Sequence, residues 1–141
     1  MNKVVKFGGS SLASAKQFKK VKDIIMADKS RRYVIPSAPG KRTTNDEKVT
    51  DLLYACYSAA SEGRSYKKIF DAITARYDQI ITGLDLNVNL DFEFKTIEEN
   101  FLAKKGRDYA ASRGEYLNGI IMAAYLGYEF IDAADVICFD A

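Results

Sequence analysis

Apolar and polar positions alternate with two different periods along this chain, and the changes of period mark its elements. Val4-Val5-Lys6-Phe7 is a short β-type run that ends at Gly8-Gly9-Ser10-Ser11. Beyond it Leu12, Phe18, Val21, Ile24 and Ile25 recur at helical spacing, which predicts a helix over about 11–28 capped by Ser10 or Ser11. Tyr33-Val34-Ile35 reads as a second strand, closed by Pro36 and the Pro39-Gly40 turn. Thr44-x-x-Glu47 has the form of a capping box, and Val49, Leu52, Leu53, Cys56, Tyr57 and Ala60 follow it on one helical face over 47–61. A helix opening at Ser65 runs through Phe70, Ile73, Tyr77 and Ile81 to a stop at Gly83. Another covers about 91–103 with Phe94, Ile97 and Phe101 inward, and a last one begins near Ser112 and ends before Gly127. Tyr128-Glu129-Phe130-Ile131 and Val136-Ile137-Cys138-Phe139 read as third and fourth strands. Strands separated by helices imply parallel pairing and an α/β fold. A sheet element with nothing after it to cover it suggests the front part of a longer design, since buried parallel strands need helices on both faces.

Composition narrows the chemistry. With 141 residues, 48% hydrophobic and 28% charged, the chain is one domain or part of one, with material for a real core. It contains no histidine, which excludes Ser-His-Asp and Cys-His nucleophiles, His-ligated zinc and a histidine base. Cys56 and Cys138 stand far apart with no partner motif, so buried free thiols in a cytoplasmic protein are expected. The longest uncharged apolar-rich run, Tyr116 to Tyr128, is 13 residues and too short to cross a bilayer. Lys6 and Gly8-Gly9 interrupt any leader ahead of Ala13-Ser14-Ala15. The net charge of +2 hides an asymmetry: residues 1–42 carry +9 and residues 43–141 carry −7. The basic segment points to an anionic partner, although Lys16, Lys19, Lys20 and Lys22 also fit the solvated face of a helix. No nucleic-acid-binding motif accompanies the charge.

The strand-Gly-Gly-Ser-Ser-helix unit has the makings of a phosphate cradle. Glycines let backbone approach a phosphate, and a helix N-terminus offers unpaired N–H groups. It matches neither the P-loop nor the dinucleotide glycine pattern, and a tight turn without a ligand explains it equally well. The residues then become more specific together. Lys6-Phe7-Gly8-Gly9-Ser10-Ser11 resembles the N-terminal signature of aspartate kinases. Val34-Ile35-Pro36-Ser37-Ala38-Pro39-Gly40, Val49-Thr50-Asp51-Leu52-Leu53 and Ser112-Arg113-Gly114-Glu115-Tyr116-Leu117 resemble later segments of that family, in order. Pro36 and Arg113 depart from its pattern.

The resemblance implies the amino-acid kinase type of parallel-sheet, three-layer sandwich, with residues 1–141 as its N-terminal, amino-acid-binding part. It implies transfer of the γ-phosphoryl group of ATP to the side-chain carboxylate of L-aspartate, with Mg²⁺ carried by the nucleotide. Lys6 would be catalytic; Lys6, Phe7, Gly8, Gly9 and Ser10 would bind ATP; Ser37, Ala38, Thr50 and Glu115 would bind aspartate. No protein metal ligand, nucleic acid or membrane is implied, and a homo-oligomer or self-association is. The family's Gly-Arg-Gly-Gly-Ser-Asp stretch and ACT regulatory domains do not occur in these 141 residues, so the chain alone is expected to be inactive. Two residues keep structural alternatives. Thr50 could bond back to a helical carbonyl, and Ser112-x-x-Glu115 is itself a capping box. Other readings are a relative acting on a different acid or on carbamate, and a non-catalytic binding module.

Overall fold

The computed structural model describes residues 1–132. The elements run β1 (Lys3–Phe7), a 3-10 turn at Gly9–Leu12, α1 (Ala15–Met26), β2 (Arg31–Pro36), α2 (Val49–Ser61), α3 (Lys67–Gly83), α4 (Asp91–Leu102) and α5 (Arg107–Leu126). β1 and β2 pair in parallel through α1, in register from Val4 opposite Tyr33 to Phe7 opposite Pro36. The expected α/β order and the parallel pairing are therefore present in the first unit. Alternation sets its two faces: Val5, Phe7 and Val34 pack on the core, while Val4, Lys6, Tyr33 and Ile35 stand exposed.

The helical stripes read from the sequence are the buried ones. On α2, Val49, Leu52, Leu53, Cys56, Ala59 and Ala60 are buried, and the helix packs against α3, α4 and α5. Phe18, Tyr77, Phe101, Leu117 and Ile121 complete a core shared by all five helices. Burying each such side chain stabilises the fold by about 1.5–3 kcal/mol. Cys56 lies in this core as a free thiol.

The element ends differ from expectation for local reasons. α1 starts at Ala15 because Gly9–Leu12 winds into a 3-10 turn, with Ser11 N–H donating to the Gly8 carbonyl at 3.1 Å. Its cap is Ser14, whose Oγ accepts from Gln17 N–H at 3.4 Å, not Ser10 or Ser11. Thr44 and Glu47 form no capping box, because the N-cap of α2 is Lys48, four residues after Thr44. α3 begins at Lys67 and includes Gly83. Tyr128 to Ile131 forms no strand: Tyr128 N–H donates to the Ala123 carbonyl at the end of α5, and Phe130 turns back onto the Tyr116 ring, with centroids 5.7 Å apart. The predicted strand at Val136 to Phe139 lies outside the described residues.

Candidate functional site

The turn after β1, the end of β2, the start of α2 and the middle of α5 converge on a cleft of about 530 Å³. The turn contributes Gly9 and Ser10. The chain leaving β2 contributes Ser37 through Lys41, with Lys48 closing the same loop, α2 contributes Thr50 and α5 contributes Glu115. Backbone contact between Gly9 and Gly40 forms the floor. Gly40 N–H donates to the Gly9 carbonyl at 2.8 Å. A Cβ on Gly9 would lie 2.9 Å from the Ala38 carbonyl oxygen, and one on Gly40 would lie 2.7 Å from the Gly9 carbonyl carbon. Only glycine permits the β1 turn and the β2 exit to lie this close.

The opposite wall depends on how α5 is seated. A Cβ on Gly114 would come within 2.6 Å of the Ala38 Cβ, so the helix rests directly on the β2 exit. Two side chains hold it there. The fully buried Tyr77 hydroxyl donates to the Gly114 carbonyl at 2.9 Å, and Asn118 Nδ2 donates to the Ser37 carbonyl at 2.8 Å. Glu115 lies between these anchors and so reaches the cleft with Ser37 and Ala38. α5 begins at Arg107, well before Ser112, which overturns the capping alternative. Ser112 is a helical residue whose hydroxyl donates to the Tyr109 carbonyl at 2.7 Å. Thr50 is half-buried in the first turn of α2, and its hydroxyl makes no back-bond among the described residues.

The structure does not gather every predicted residue. Ser10, Gly9, Ser37, Ala38, Thr50 and Glu115 line the cleft, whereas Lys6, Phe7 and Gly8 do not. Phe7 packs on the core, and Lys6 lies opposite Ile35 on the exposed sheet face. Residues not anticipated are Lys41 and Lys48, which are exposed and form no ion pair among the described residues. Their proximity in sequence to Ser37-Ala38 and to Thr50 was the available signal. Around Glu115, the one carboxylate in the lining, they leave the cleft with a cationic excess suited to an anionic ligand bearing an ammonium group.

Behind the loop sits a second charged group. Arg42 grips the Asp46 carboxylate through Nε at 2.7 Å and Nη2 at 3.0 Å, which holds the Asp46 carboxyl well below the usual carboxylate range. Arg76, only 4% exposed, lies 3.5 Å from the same carboxylate. Burial and then the neighbouring Arg42 charge lower its pKa, while Asp46 opposes both. Among the described residues no group of three His, Cys, Asp or Glu side chains could hold a metal ion. No helix among them is long and apolar enough to cross a membrane.

The amino acid kinase family model matches residues 1–141. Aspartokinase 3 of Bacillus subtilis is 38% identical over 137 residues, covering 93% of this chain and 30% of its own. Aspartokinase 1, chloroplastic, of Arabidopsis thaliana is 35% identical over 136 residues, covering 87% and 23%. The crystal structure of Clostridium acetobutylicum aspartate kinase, an allosteric enzyme, superposes with a TM-score of 0.91 at 51% identity, over 97% of this chain and 33% of that one. E. coli aspartokinase III, solved with aspartate and ADP, shares the fold with a TM-score of 0.69 at 24% identity, over 90% and 29%. The chain therefore spans about a third or less of the length of these relatives. With its α/β order, its glycine-floored cleft and a family match across every residue, the chain belongs to the amino acid kinase family.

Proposed function

We propose that the cleft is the amino-acid site of an ATP-dependent aspartate kinase, the first step of lysine, threonine and methionine biosynthesis in the cytoplasm. The carrying observation is that residues far apart in sequence, Ser10, Ser37, Thr50 and Glu115, meet in one cationic cleft beside the Gly9 turn. Glu115 accepts hydrogen bonds from the α-ammonium of L-aspartate, a charge-assisted contact that selects an amino acid over a plain dicarboxylate. Thr50 and the N-terminal turn of α2 take a carboxylate, with Lys41 and Lys48 balancing its charge. The Gly8 and Gly9 N–H groups and Ser10 face the phosphates of ATP. Lys6, just ahead of the turn, stabilises charge on the transferring group. In the transfer a side-chain carboxylate oxygen bonds to the γ-phosphorus while the bridging bond to the β-phosphate breaks, and ADP leaves with the electron pair. No proton must move, so catalysis rests on positioning and charge neutralisation, and a chain without histidine loses nothing. Mg²⁺ rides on the nucleotide phosphates.

The test is calorimetric titration with L-aspartate and with succinate, which lacks the ammonium group, followed by a coupled assay for ADP release. Aspartate should bind at least tenfold more tightly than succinate. In a full-length enzyme carrying this segment, Lys6→Ala should lower aspartate-dependent turnover by about 10²–10³, the scale for one preorganised charge at such a site. Equal binding of the two acids refutes the amino-acid site, and a Lys6→Ala protein with more than half of wild-type turnover removes Lys6 from the chemistry. A second reading, a module that binds aspartate without phosphorylating it, draws on the position of Lys6 outside the cleft lining. Aspartate binding with no aspartate-dependent ADP release selects it.

A further inference from the structure

Arg76 is the one charged residue on the buried face of α3, among Phe70, Ile73, Tyr77, Ile80 and Ile81. A guanidinium removed from water is costly unless its donors are taken up. Here the Nη donors go to backbone carbonyls of separate segments, while the buried Nε has no hydrogen-bond partner among the described residues. Nη2 donates to the Gly40 carbonyl at 2.5 Å and reaches that of Ala13 at 3.5 Å, and Nη1 donates to the Glu47 carbonyl at 2.8 Å. Of these carbonyl residues Gly40 lines the cleft, and Ala13 and Glu47 adjoin segments that do. Ala13 follows the 3-10 turn that begins at Gly9, Gly40 is the floor, and Glu47 immediately precedes Lys48 and the first turn of α2. Residues 41–48 form no helix or strand, and the side-chain clasp within them is Arg42 on Asp46, itself 3.5 Å from Arg76. The planar fork of arginine can hold carbonyls in several fixed directions at once, which the single ammonium of lysine cannot.

We propose that Arg76 is a positioning residue for the cleft: touching no substrate, it clamps Gly40 and Glu47 from behind and so sets the affinity for aspartate. The inference rests on the aspartate reading of the cleft.

Site-resolved amide hydrogen exchange and calorimetric aspartate titration of the full 141-residue chain test it, comparing wild type with Arg76→Met and Arg76→Lys. In Arg76→Met the amides of Gly40 and Val49, which donate to the Gly9 and Pro39 carbonyls, should exchange at least tenfold faster. Those of Leu117 and Ile121 in α5 should hold. The aspartate Kd should rise at least tenfold, and Arg76→Lys should recover part of both effects. Acceleration spread evenly over the chain, or an aspartate Kd within threefold of wild type, overturns the proposal. So does failure of both variants to fold by circular dichroism, which makes Arg76 a determinant of the whole fold. If the wild-type chain binds no aspartate, the cleft reading fails and the affinity claim falls with it. The exchange pattern still reports separately whether the guanidinium clamps the loop.

Discussion

Two adjacent glycines in the turn after β1 offer a controlled test of the cleft floor. In Gly9→Ala the added methyl would lie 2.9 Å from the Ala38 carbonyl oxygen, 3.1 Å from Gly40 N and 3.2 Å from Gly40 Cα. All three are backbone atoms and cannot swing aside, and ordinary contacts of carbon lie near ~3.5 Å. The β1 turn and the β2 exit must part by several tenths of an ångström. Overpacking of this kind costs about 1–3 kcal/mol, and parting the segments also weakens the Gly40-to-Gly9 hydrogen bond, worth about 0.5–1.5 kcal/mol. The stiffer unfolded chain returns about 0.4–1 kcal/mol, so a net loss of about 2 kcal/mol is expected, read as a fall in Tm of roughly 5–10 °C for a domain of this size. Gly8 meets nothing within 4 Å and has φ −76°, so Gly8→Ala should stay within about 0.5 kcal/mol of wild type or gain slightly. Urea denaturation followed by far-UV circular dichroism gives both values, and aspartate titration of the folded variants should show weakened binding in Gly9→Ala alone. Equal stability and affinity in the two variants would show that the floor does not depend on the Gly9–Gly40 approach.

Three further outcomes follow from the same structure. Glu115→Gln should leave stability within about 0.5 kcal/mol, because the residue is inside α5 rather than at its cap; the aspartate Kd should rise at least tenfold while succinate binding holds, and equal weakening of both acids would contradict the ammonium role. Asp46 is held below the ordinary carboxylate pKa, chiefly by Arg42. Its contribution to stability is thus complete above the unfolded value of about 4 and is lost as pH falls through the lower folded value. Asp46→Asn should flatten the acid side of the stability–pH curve, and an unchanged acid limb would refute the pairing. The Cys56 thiol is pushed up to about 12, first by burial and then by the Glu98 charge. Alkylation of Cys56 at pH 8, followed by peptide-resolved mass spectrometry, should therefore be as slow as unfolding, and rapid labelling of the folded chain would disprove its burial.

Periodicity was sufficient to locate each helix, though not its ends, because the core repeats on one face of each. Val49, Leu52, Leu53 and Cys56 of α2 and Phe94, Ile97 and Phe101 of α4 are buried as their spacing requires. It failed where local polar groups had two uses. Ser10, Ser11 and Ser14 are all able to cap a helix, and the choice of Ser14 follows from the 3-10 turn at Gly9–Leu12, in which Leu12 is buried and Gly9 lies against Gly40. The four residues from Tyr128 alternate too briefly to specify a strand, and Phe130 packs edge-on against Tyr116 instead. The supports of the site were the least legible. Arg76 shares a stripe with Ile69, Ile73 and Ile80, so a buried cation could have been suspected, but its carbonyl partners come from loops whose approach no local pattern encodes.

Glu115 and Lys6 show how the same kind of expectation can end differently. The functional and structural readings of Glu115 rest on one four-residue pattern, and they separate only when the start of α5 is known. That start is fixed by Tyr109 and Ala110 packing on the core, several residues away from the pattern itself. Once α5 begins at Arg107, no orphan N–H remains for Glu115 to cap, and its place beside Ser37 is set by Gly114, Tyr77 and Asn118. A carboxylate carried to a cationic cleft by three separate contacts has no comparable structural use there. Lys6 lacks such support: strand alternation puts it on the exposed face with Val4 and Ile35, outside the cleft lining. Its proposed role depends on a long side chain reaching a phosphoryl group across the turn. In a full-length enzyme carrying this segment, titration with Mg-ATP should therefore show little change in affinity for Lys6→Ala while turnover falls, because a charge held ready for the transition state contributes little to the ground state. A loss of nucleotide affinity as large as the loss of turnover would make Lys6 a binding residue instead.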